Sequence, residues 1–443
     1  MRSCLFNRAR CLGVLPVLLC LSSVGRADSL PAPSTVTANP PLTLQACRQI
    51  ALGQQPALAA TRSTLKAALD RQSAVENLRV PTCLARDLPI RRKQAALGLT
   101  IAQGGITQAE SETLHGVTFS YLAALHAAQS AKLANGPIRG RLKDLQTLVS
   151  DPVTQKSRRD VVLPQHRNLV KSFLETLDGR IQEAEQGQQR ALAALREAMG
   201  VGPHFVLTLP DRDLPCPRAL PQLNELVALA LARRGEMIQA ATFADVVCLE
   251  IDAQAANNHR RNMRTFASGS DIHAKPIPSG DSGGVNYRPV IVGPEMPPFL
   301  TGSRDDRVRQ AQDYHQRALA VVAKTRNLIA LEVEDLYRRW LDKKEKAEHL
   351  RTAYVEARTF ATKLKESFNK QMPGTYPNID EIINSGLIET RLQLEWKEAH
   401  YQALQALAAL ERATAGGFQV DFDTAPACEP EAKEPAGETN ENP

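Results

Sequence analysis

The stretch that decides the fold is residues 303–371, SRDDRVRQAQDYHQRALAVVAKTRNLIALEVEDLYRRWLDKKEKAEHLRTAYVEARTFATKLKESFNKQ. It runs for roughly 70 residues without Pro or Gly, and it is rich in Ala, Leu, Arg, Lys and Glu, which favour helix. At a rise of about 1.5 Å per residue it predicts one helix about 100 Å long. A helix of this length does not fold back on itself, so we expect it to pack along equally long neighbours.

An apolar stripe along this helix predicts the face that packs, because its members recur at helical spacing. The stripe is dense in the first half and thinner in the second: Leu319, Val322, Leu328, Ile329, Val333, Leu336, Tyr337, Leu350, Tyr354, Phe360 and Leu364. Charged side chains fill the other face. Asp305 and Asp306 lie at the start of the helix, where a negative charge interacts favourably with the free N–H groups.

Composition narrows the functional classes. The chain has 443 residues, enough for one large core or two smaller copies, and only 5% of them are aromatic. The net charge of +6 is small for this length, and no basic run with interleaved aromatics occurs, so we expect no nucleic-acid partner. The nine His are scattered, and we expect them to be solvated at the surface. We predict no enzymatic activity, no cofactor and no metal site.

The N-terminus has the pattern of an export signal. Basic residues precede an apolar run over 11–21, and Gly25 and Ala27 are small residues suited to a cleavage site. We interpret residues 1–27 as a secretory signal peptide. An uncleaved membrane anchor is the alternative, although the run is short for a bilayer. Residues 28–41 are rich in Pro, Ser and Thr and are predicted to form an exposed leader.

The cysteines allow a disulfide without assigning one. Three of the eight lie within the first 27 residues, and five follow: Cys47, Cys83, Cys216, Cys248 and Cys428. An exported chain could form a disulfide, but an odd number leaves at least one thiol over.

The first helical pattern starts at Thr43, and Pro56 should kink or interrupt it. A second pattern runs from Ile90 to about Ala134, with several Gly, including Gly104, that weaken the prediction locally. The turn sequence 135–137 should end this helix. A shorter helical segment follows at 139–149.

The chain then repeats itself. Residues 42–58 match residues 221–237 without a gap, so that Leu44 corresponds to Leu223 and Pro56 to Gly235. Two apolar seams with steps of three and four also correspond, one over 170–195 and one over 383–408. The first closes with Gly200 and Gly202, and the second with Gly416 and Gly417.

These matches divide the chain into two copies of one helical unit. We predict a first helical repeat over 42–202, a Pro-rich connector over 203–221 and a second repeat over 222–416. The second repeat carries an insert at 263–302. The acidic, Pro-rich tail at 417–443 is predicted to be disordered.

Several of these segments resemble the TolC-like outer-membrane efflux protein family. Residues 42–58, LTLQACRQIALGQQPAL, are similar to the opening of each family repeat, and residues 192–202 to its end. Residues 153–161 resemble the hairpin-tip signature of the family, with Asn378-Ile379-Asp380 as the counterpart in the second copy. The resemblance extends over residues 42–416.

The resemblance implies a mainly all-α fold, in which duplicated long helical hairpins form part of an α-barrel. The link at 80–89 is too short for two membrane strands, and 263–302 lacks their alternation, so we expect a reduced or absent β-barrel portion. The family implies a homotrimer that acts as a passive conduit, gated by untwisting of its hairpin tips. Its partners would be a periplasmic adaptor protein and an inner-membrane pump, and its location the outer membrane and periplasm. The alternative is a non-channel periplasmic helical scaffold or spacer.

Four residues are candidates for the periplasmic aperture that the resemblance implies. Asp160 and Asp380 stand at the two hairpin tips, and Arg158 and Arg159 are possible partners for them. Acidic rings at such a constriction select cations or hold a gate closed through salt bridges. The alternative is that each Asp satisfies free N–H groups at the start of a helix.

Overall fold

The structure is a computed structural model that describes residues 41–81, 85–150, 164–211, 213–216, 222–257, 302–370 and 379–423. Nine α-helices follow one another in these ranges: α1 (Leu44–Gln54), α2 (Pro56–Glu76), α3 (Leu88–Leu133), α4 (Arg139–Ser150), α5 (Pro164–Met199), α6 (Leu223–Arg233), α7 (Gly235–Ala256), α8 (Arg304–Lys370) and α9 (Ile379–Ala413).

The mainly all-α prediction is confirmed. The described ranges contain no β-strand element and fall within one compact unit that begins at Pro40. None of the helices in these ranges carries an apolar stretch sufficient to cross a membrane. The predicted signal peptide, nearly all of the leader and the insert at 263–302 lie outside the described residues, apart from positions 41 and 302.

The second helix of the first repeat does not end where the sequence predicts. A π-helical turn over Ala134–Ile138 joins α3 directly to α4, although it contains the turn sequence Asn-Gly-Pro. The ring of Pro137 would clash with a carbonyl in a regular α-helix, and the wider π turn relieves that clash. Ala134 and Ile138 are buried, so apolar packing at both ends of the π turn stabilises the connection between α3 and α4.

Matching breaks in the first helix of each repeat bear out the duplication. Gln55 separates α1 from α2, and Arg234 separates α6 from α7; both are extended, with ψ angles of 119° and 132°. Pro56 explains the first break, because it begins α2 at a position where its missing N–H is not needed. Gly235 occupies the equivalent position in the second repeat, and the same break forms there.

A close approach of two backbones explains why position 235 is a glycine. A Cβ atom at Gly235 would lie 2.0 Å from the carbonyl O of Gly104, and one at Gly104 would lie 3.1 Å from the carbonyl O of Gly235. Only glycine fits at such a contact. The Gly104 that weakens the prediction of α3 is therefore a point where the backbones of α3 and α7 touch.

Both repeats close with a left-handed turn. Gly200 follows α5 with φ +71°, and Ala415 follows α9 with φ +47°. In each case N–H groups just beyond the helix bond back to its last carbonyls, two of them after α5 and three after α9. A Cβ atom at Gly200 would lie 2.6 Å from the Cα of Gln55, so the end of the first repeat is packed against its opening break.

The predicted seams supply much of the core. In α5 and α9 the buried seam residues are Val170, Leu177, Ile181, Leu195, Ile383, Leu404 and Ala408. The stripe of α8 is buried at Leu328, Ile329 and Val333. Two of its members differ from the prediction, because Leu319 is 44% exposed and Phe360 is 58% exposed.

Hydrogen bonds at the start of α8 agree with the prediction for its acidic residues. The N–H of Asp306 donates to Ser303 Oγ, and the Asp306 carboxylate accepts from the N–H of Ser303, both at 3.2 Å. Hydrogen bonds from Ser303 and Arg309 lower the pKa of Asp306 to about 2. The acidic group is therefore charged where the helix favours a negative charge.

Packing continues past the predicted end of the second repeat at 416. Phe422 is 1% exposed and shares a core cluster with Leu214 of the connector. The Asp423 carboxylate accepts hydrogen bonds from the N–H groups of Leu44 and Gln45, at 3.2 and 2.9 Å. The start of α1 is thus satisfied by the opposite end of the described chain. Residues 424–443 lie outside it.

A buried ion-pair network joins the two repeats. The carboxylate of Glu332 in α8 is 1% exposed and accepts from both Arg234 and Arg412. Arg412 also pairs with Glu112 of α3 at 3.0 Å, and Arg234 pairs with Glu236 at 2.7 Å. Burial alone would raise the pKa of Glu236, but the hydrogen bonds and charge of Arg234 outweigh it and hold this pKa below its usual value.

A second buried polar network lies where the links 77–87 and 257–303 leave the helices. Arg91 of α3 donates to both carboxylate oxygens of Glu250 in α7. Gln254 donates to Glu250 at 2.6 Å and accepts from Arg307 of α8 at 3.0 Å. These four side chains are buried, and their hydrogen bonds fix the ends of α3, α7 and α8 to one another.

Candidate functional site

Of the four candidates for the aperture, the structure describes Asp380. Asp160, Arg158 and Arg159 fall in residues 151–163, outside the described residues. Asp380 is the second residue of α9 and lies in its first turn. The alternative interpretation, in which Asp380 serves the free N–H groups at the start of a helix, requires this position.

An apolar cluster holds the start of α9 against the first hairpin. Ile379, Ile382 and Ile383 are almost fully buried, and they pack with side chains of α4 and α5: Leu142, Leu145, Val149, Val170 and Leu177. Burying one such side chain contributes about 1.5–3 kcal/mol relative to leaving it in water. The start of α9 therefore packs against α4 and α5 through an apolar contact.

His166 and Asp380 join the two tips directly. His166 Nε2 lies 2.7 Å from Asp380 Oδ1. The His166 side chain is 5% exposed, whereas that of Asp380 is 53% exposed, so the carboxylate reaches a buried imidazole from the solvent side. The contact is an ion pair when the imidazole is protonated and a hydrogen bond when it is neutral.

Further ion pairs fasten α4 to its neighbours at this end. They connect it to α9, α5 and α8 in turn: Arg141–Glu389, Arg139–Asp178 at 2.7 Å and Asp144–Lys365 at 2.9 Å. Lys365 and Asp144 are half exposed, and such a pair contributes little. Glu389 is buried, and Arg141 also donates to Gln393 beside it, which makes this contact the firmer one.

A cavity of about 590 Å³ opens beside the π turn. Its walls include Pro137 and Arg141 from the first hairpin and Tyr354, Arg358 and Glu389 from the second. The space therefore lies between the two hairpins, next to the Arg141–Glu389 ion pair.

Two of the histidines in the described ranges are buried, contrary to the prediction that the histidines are solvated. His166 is 4% exposed and His400 is 8% exposed. A ring nitrogen of His400 lies 3.0 Å from the carbonyl O of Pro215, and burial lowers the pKa of His400 to about 4. Their burial depends on contacts with distant parts of the chain, for which a lone His gives no sequence signal. Within the described ranges, no three or more His, Cys, Asp or Glu side chains group to suit a metal ion.

Features shared by the two repeats define the architecture of this protein. Two copies of a long-helix hairpin unit share the same opening break and the same closing turn, and their tips are paired. The chemistry available at the tips is ionic and hydrogen-bonded contact between two hairpins, which can open and form again.

Several solved structures that are similar to this chain are outer-membrane channels. The outer-membrane channel OprN matches with a TM-score of 0.65 and 15% identity, over 84% of this chain and 90% of that chain. The outer membrane protein VceC from Vibrio cholerae matches with a TM-score of 0.59 and 15% identity, over 85% and 97%. The open state of the Neisseria gonorrhoeae MtrE channel matches with a TM-score of 0.55 and 15% identity, over 86% and 91%.

The chain therefore has the fold of the TolC-like outer-membrane efflux channels. At this level of identity the similarity is one of fold. No protein-family model matches the sequence, and no curated protein matches it.

Proposed function

We propose that this chain is a subunit of a passive, trimeric conduit in a tripartite efflux or type I secretion system. It would be exported through its N-terminal signal and would act at the outer membrane and periplasm without a catalytic step. The observation that carries the proposal is the similarity in fold over nearly the whole length, with 84% of this chain matched to 90% of an outer-membrane channel.

Exposed apolar side chains support assembly into a trimer. Helix α2 buries only Leu58, and Leu69 on the same helix is 48% exposed. On α8, Leu319 and Leu331 are 44% and 43% exposed. Large apolar side chains repeated along long helices favour burial against a partner. Copies of this chain packed side by side would provide that partner.

The paired tips support a gating role. In the proposed mechanism, solutes pass through the lumen of the trimer, and the tips untwist to open its periplasmic end. The His166–Asp380 contact joins one hairpin to the other at this end, and it would have to break for the tips to separate. A periplasmic adaptor and an inner-membrane pump would dock at the same end.

A non-channel helical scaffold or spacer is the second candidate. It is favoured by the short link between α2 and α3, where only residues 77–87 separate the two helices. Such a link leaves little chain for a membrane-embedded segment at that end of the bundle.

Analytical ultracentrifugation of the exported chain, with and without detergent, separates the two candidates when combined with membrane fractionation. A trimer that needs detergent and is found with the outer membrane supports the conduit. A monomer or dimer that stays in solution without detergent overturns the conduit and supports the scaffold.

A further inference from the structure

The cavity between the two hairpins has no role in the proposed conduit. Its volume of about 590 Å³ lies within the range of about 300–1,000 Å³ that is typical of small-molecule sites. Its lining residues recur at helical spacing on α8, from Tyr354 to Lys365, and on α9, from Ile382 to Gln393. At a rise of about 1.5 Å per residue, each of these stripes is about 16 Å long. The cavity is therefore an elongated cleft that follows the helices.

Part of the cleft is lined by buried apolar side chains. Leu145 of α4 and Ile382 of α9 are both buried. A Cβ atom at Gly386 would lie 3.2 Å from Leu145 Cδ1, so the missing side chain lets Leu145 lie directly on α9. Tyr354 of α8 is also buried, and it stacks on Trp396 with 5.7 Å between ring centroids. The cleft therefore offers a fixed aromatic ring and aliphatic side chains to an apolar group.

The charged side chains of the lining are mostly cationic. They are Arg141, Arg358, Lys365 and a single carboxylate, Glu389. Arg141 pairs with Glu389, and Lys365 pairs with Asp144 at 2.9 Å. Arg358 is exposed, and no ion pair or side-chain hydrogen bond joins it to another of the described residues. Because a guanidinium keeps its charge in proteins, Arg358 gives the cleft an uncompensated positive charge.

We propose that this cleft binds a small anionic amphiphile, with its apolar body against Tyr354 and Leu145 and its carboxylate or sulfonate group on Arg358. A guanidinium presents two parallel N–H donors to the oxygens of such a group. The length of the lining stripes limits the ligand to about 16 Å. The described lining comes from one chain, so the proposal does not depend on the trimer or on a channel function.

Lys365 provides a second cationic group in the cleft. It follows Arg358 by seven residues, which places both side chains on one face of α8, about two turns apart. Its pair with Asp144 is half exposed, and an exposed pair of this kind contributes little to stability. The lysine can therefore turn toward a bound anion at small cost.

Isothermal titration calorimetry of the purified full chain tests the proposal with two probes that share one apolar body. The anionic probe is 2-naphthalenesulfonate, and the neutral one is 2-naphthalenesulfonamide. We expect one sulfonate to bind per chain, at least about tenfold more tightly than the sulfonamide, because a charged acceptor forms the stronger hydrogen bond with a guanidinium. Equal affinities for the two probes, or no binding of the sulfonate at millimolar concentration, would overturn the proposal.

Two substitutions with the same change in charge provide a matched test. Arg358→Gln should weaken the binding of the sulfonate about tenfold, because it removes the charged donor. Lys363→Gln is the control, since Lys363 is exposed on the same helix and does not line the cleft. It should leave the affinity unchanged. An unchanged affinity in Arg358→Gln, or an equal loss in Lys363→Gln, would contradict the role of Arg358.

Ala361→Leu tests the location of the ligand without a change in charge. Ala361 lines the cleft on α8, and the larger side chain occupies part of the space. We expect the sulfonate to bind severalfold more weakly, while circular dichroism shows the same helical content as in the natural chain. Full retention of the affinity in a folded Ala361→Leu variant would mean that the probe binds elsewhere, and would overturn the assignment of the cleft.

Discussion

The Nε2 atom of His166 and the Oδ1 atom of Asp380 are 2.7 Å apart, and this contact joins the first residues of α5 to the first residues of α9. The two residues come from different repeats. The contact therefore holds one hairpin tip to the other, in addition to any role that Asp380 has in the first turn of its own helix.

We predict that Asp380→Asn loosens the tips, because it keeps the size of the side chain and removes its charge. In planar lipid bilayers, the trimer that we propose should show a severalfold higher conductance. Asp178→Asn is the matched control, since Asp178 pairs with Arg139 within the first hairpin. An unchanged conductance in Asp380→Asn, or an equal rise in the control, would count against a gating role for the contact.

Glu332→Gln should be strongly destabilising. It leaves the guanidinium groups of Arg234 and Arg412 buried without the carboxylate they share, at a cost of about 3 kcal/mol. Glu334→Gln, two residues along the same helix, removes one carboxylate of an exposed pair with Arg338 and should cost less than about 0.5 kcal/mol. Denaturant unfolding measures both free energies, and similar losses would show that the network contributes no more than a surface pair.

Gly235→Ala should disrupt the contact between the repeats. The new Cβ would lie 2.0 Å from the carbonyl O of Gly104, so one backbone must move, and we expect a loss of about 3 kcal/mol. Gly179→Ala in α5 meets nothing within 4 Å and should gain up to about 1 kcal/mol from helix propensity. The two unfolding free energies should change in opposite directions, and a neutral Gly235→Ala would disprove the backbone contact.

Stability should fall as the pH is lowered from about 6.5 to 4. Burial holds the pKa of folded His400 at about 4, while the unfolded chain titrates near its usual value of about 6.5. Between these values the unfolded chain binds a proton that the folded chain does not, which favours unfolding by up to about 3 kcal/mol.

His400→Gln should therefore flatten the pH dependence of the unfolding midpoint, because glutamine has no charge to gain. The exposed His204 offers a control, and His204→Gln should keep the slope of the natural chain. The same slope in both variants would mean that His400 is not the group responsible.

Local pattern was sufficient to predict most of the helices and much of the apolar seams. Leu328, Ile329 and Val333 are buried because helical periodicity places them on one face of α8. Pro56 begins α2 because its fixed φ and missing N–H act on the adjacent backbone. Such features depend on residues a few positions apart, and they are visible in a sequence.

Contacts between distant residues were not predictable in this way. The need for glycine at position 235 depends on Gly104, which lies 131 residues earlier and packs against it. The π turn at Pro137 survives because Ala134 and Ile138 are buried by other helices. The role of His166 depends on Asp380, which the fold of α9 places beside it. Each case requires the folded arrangement of both repeats.

The Asp423 carboxylate bonds to the N–H of Leu44, across 379 positions of the chain. A chain that emerges from its N-terminus presents α1 first, yet the acceptor for its opening turn arrives almost last. The N–H groups of Leu44 and Gln45 therefore lack this acceptor until synthesis or translocation has passed Asp423, whereas the Thr43 hydroxyl, which accepts from the N–H of Ala46, is present from the beginning. A product that stopped at residue 416 would be weakened at its opposite end, in the first turn of the first helix.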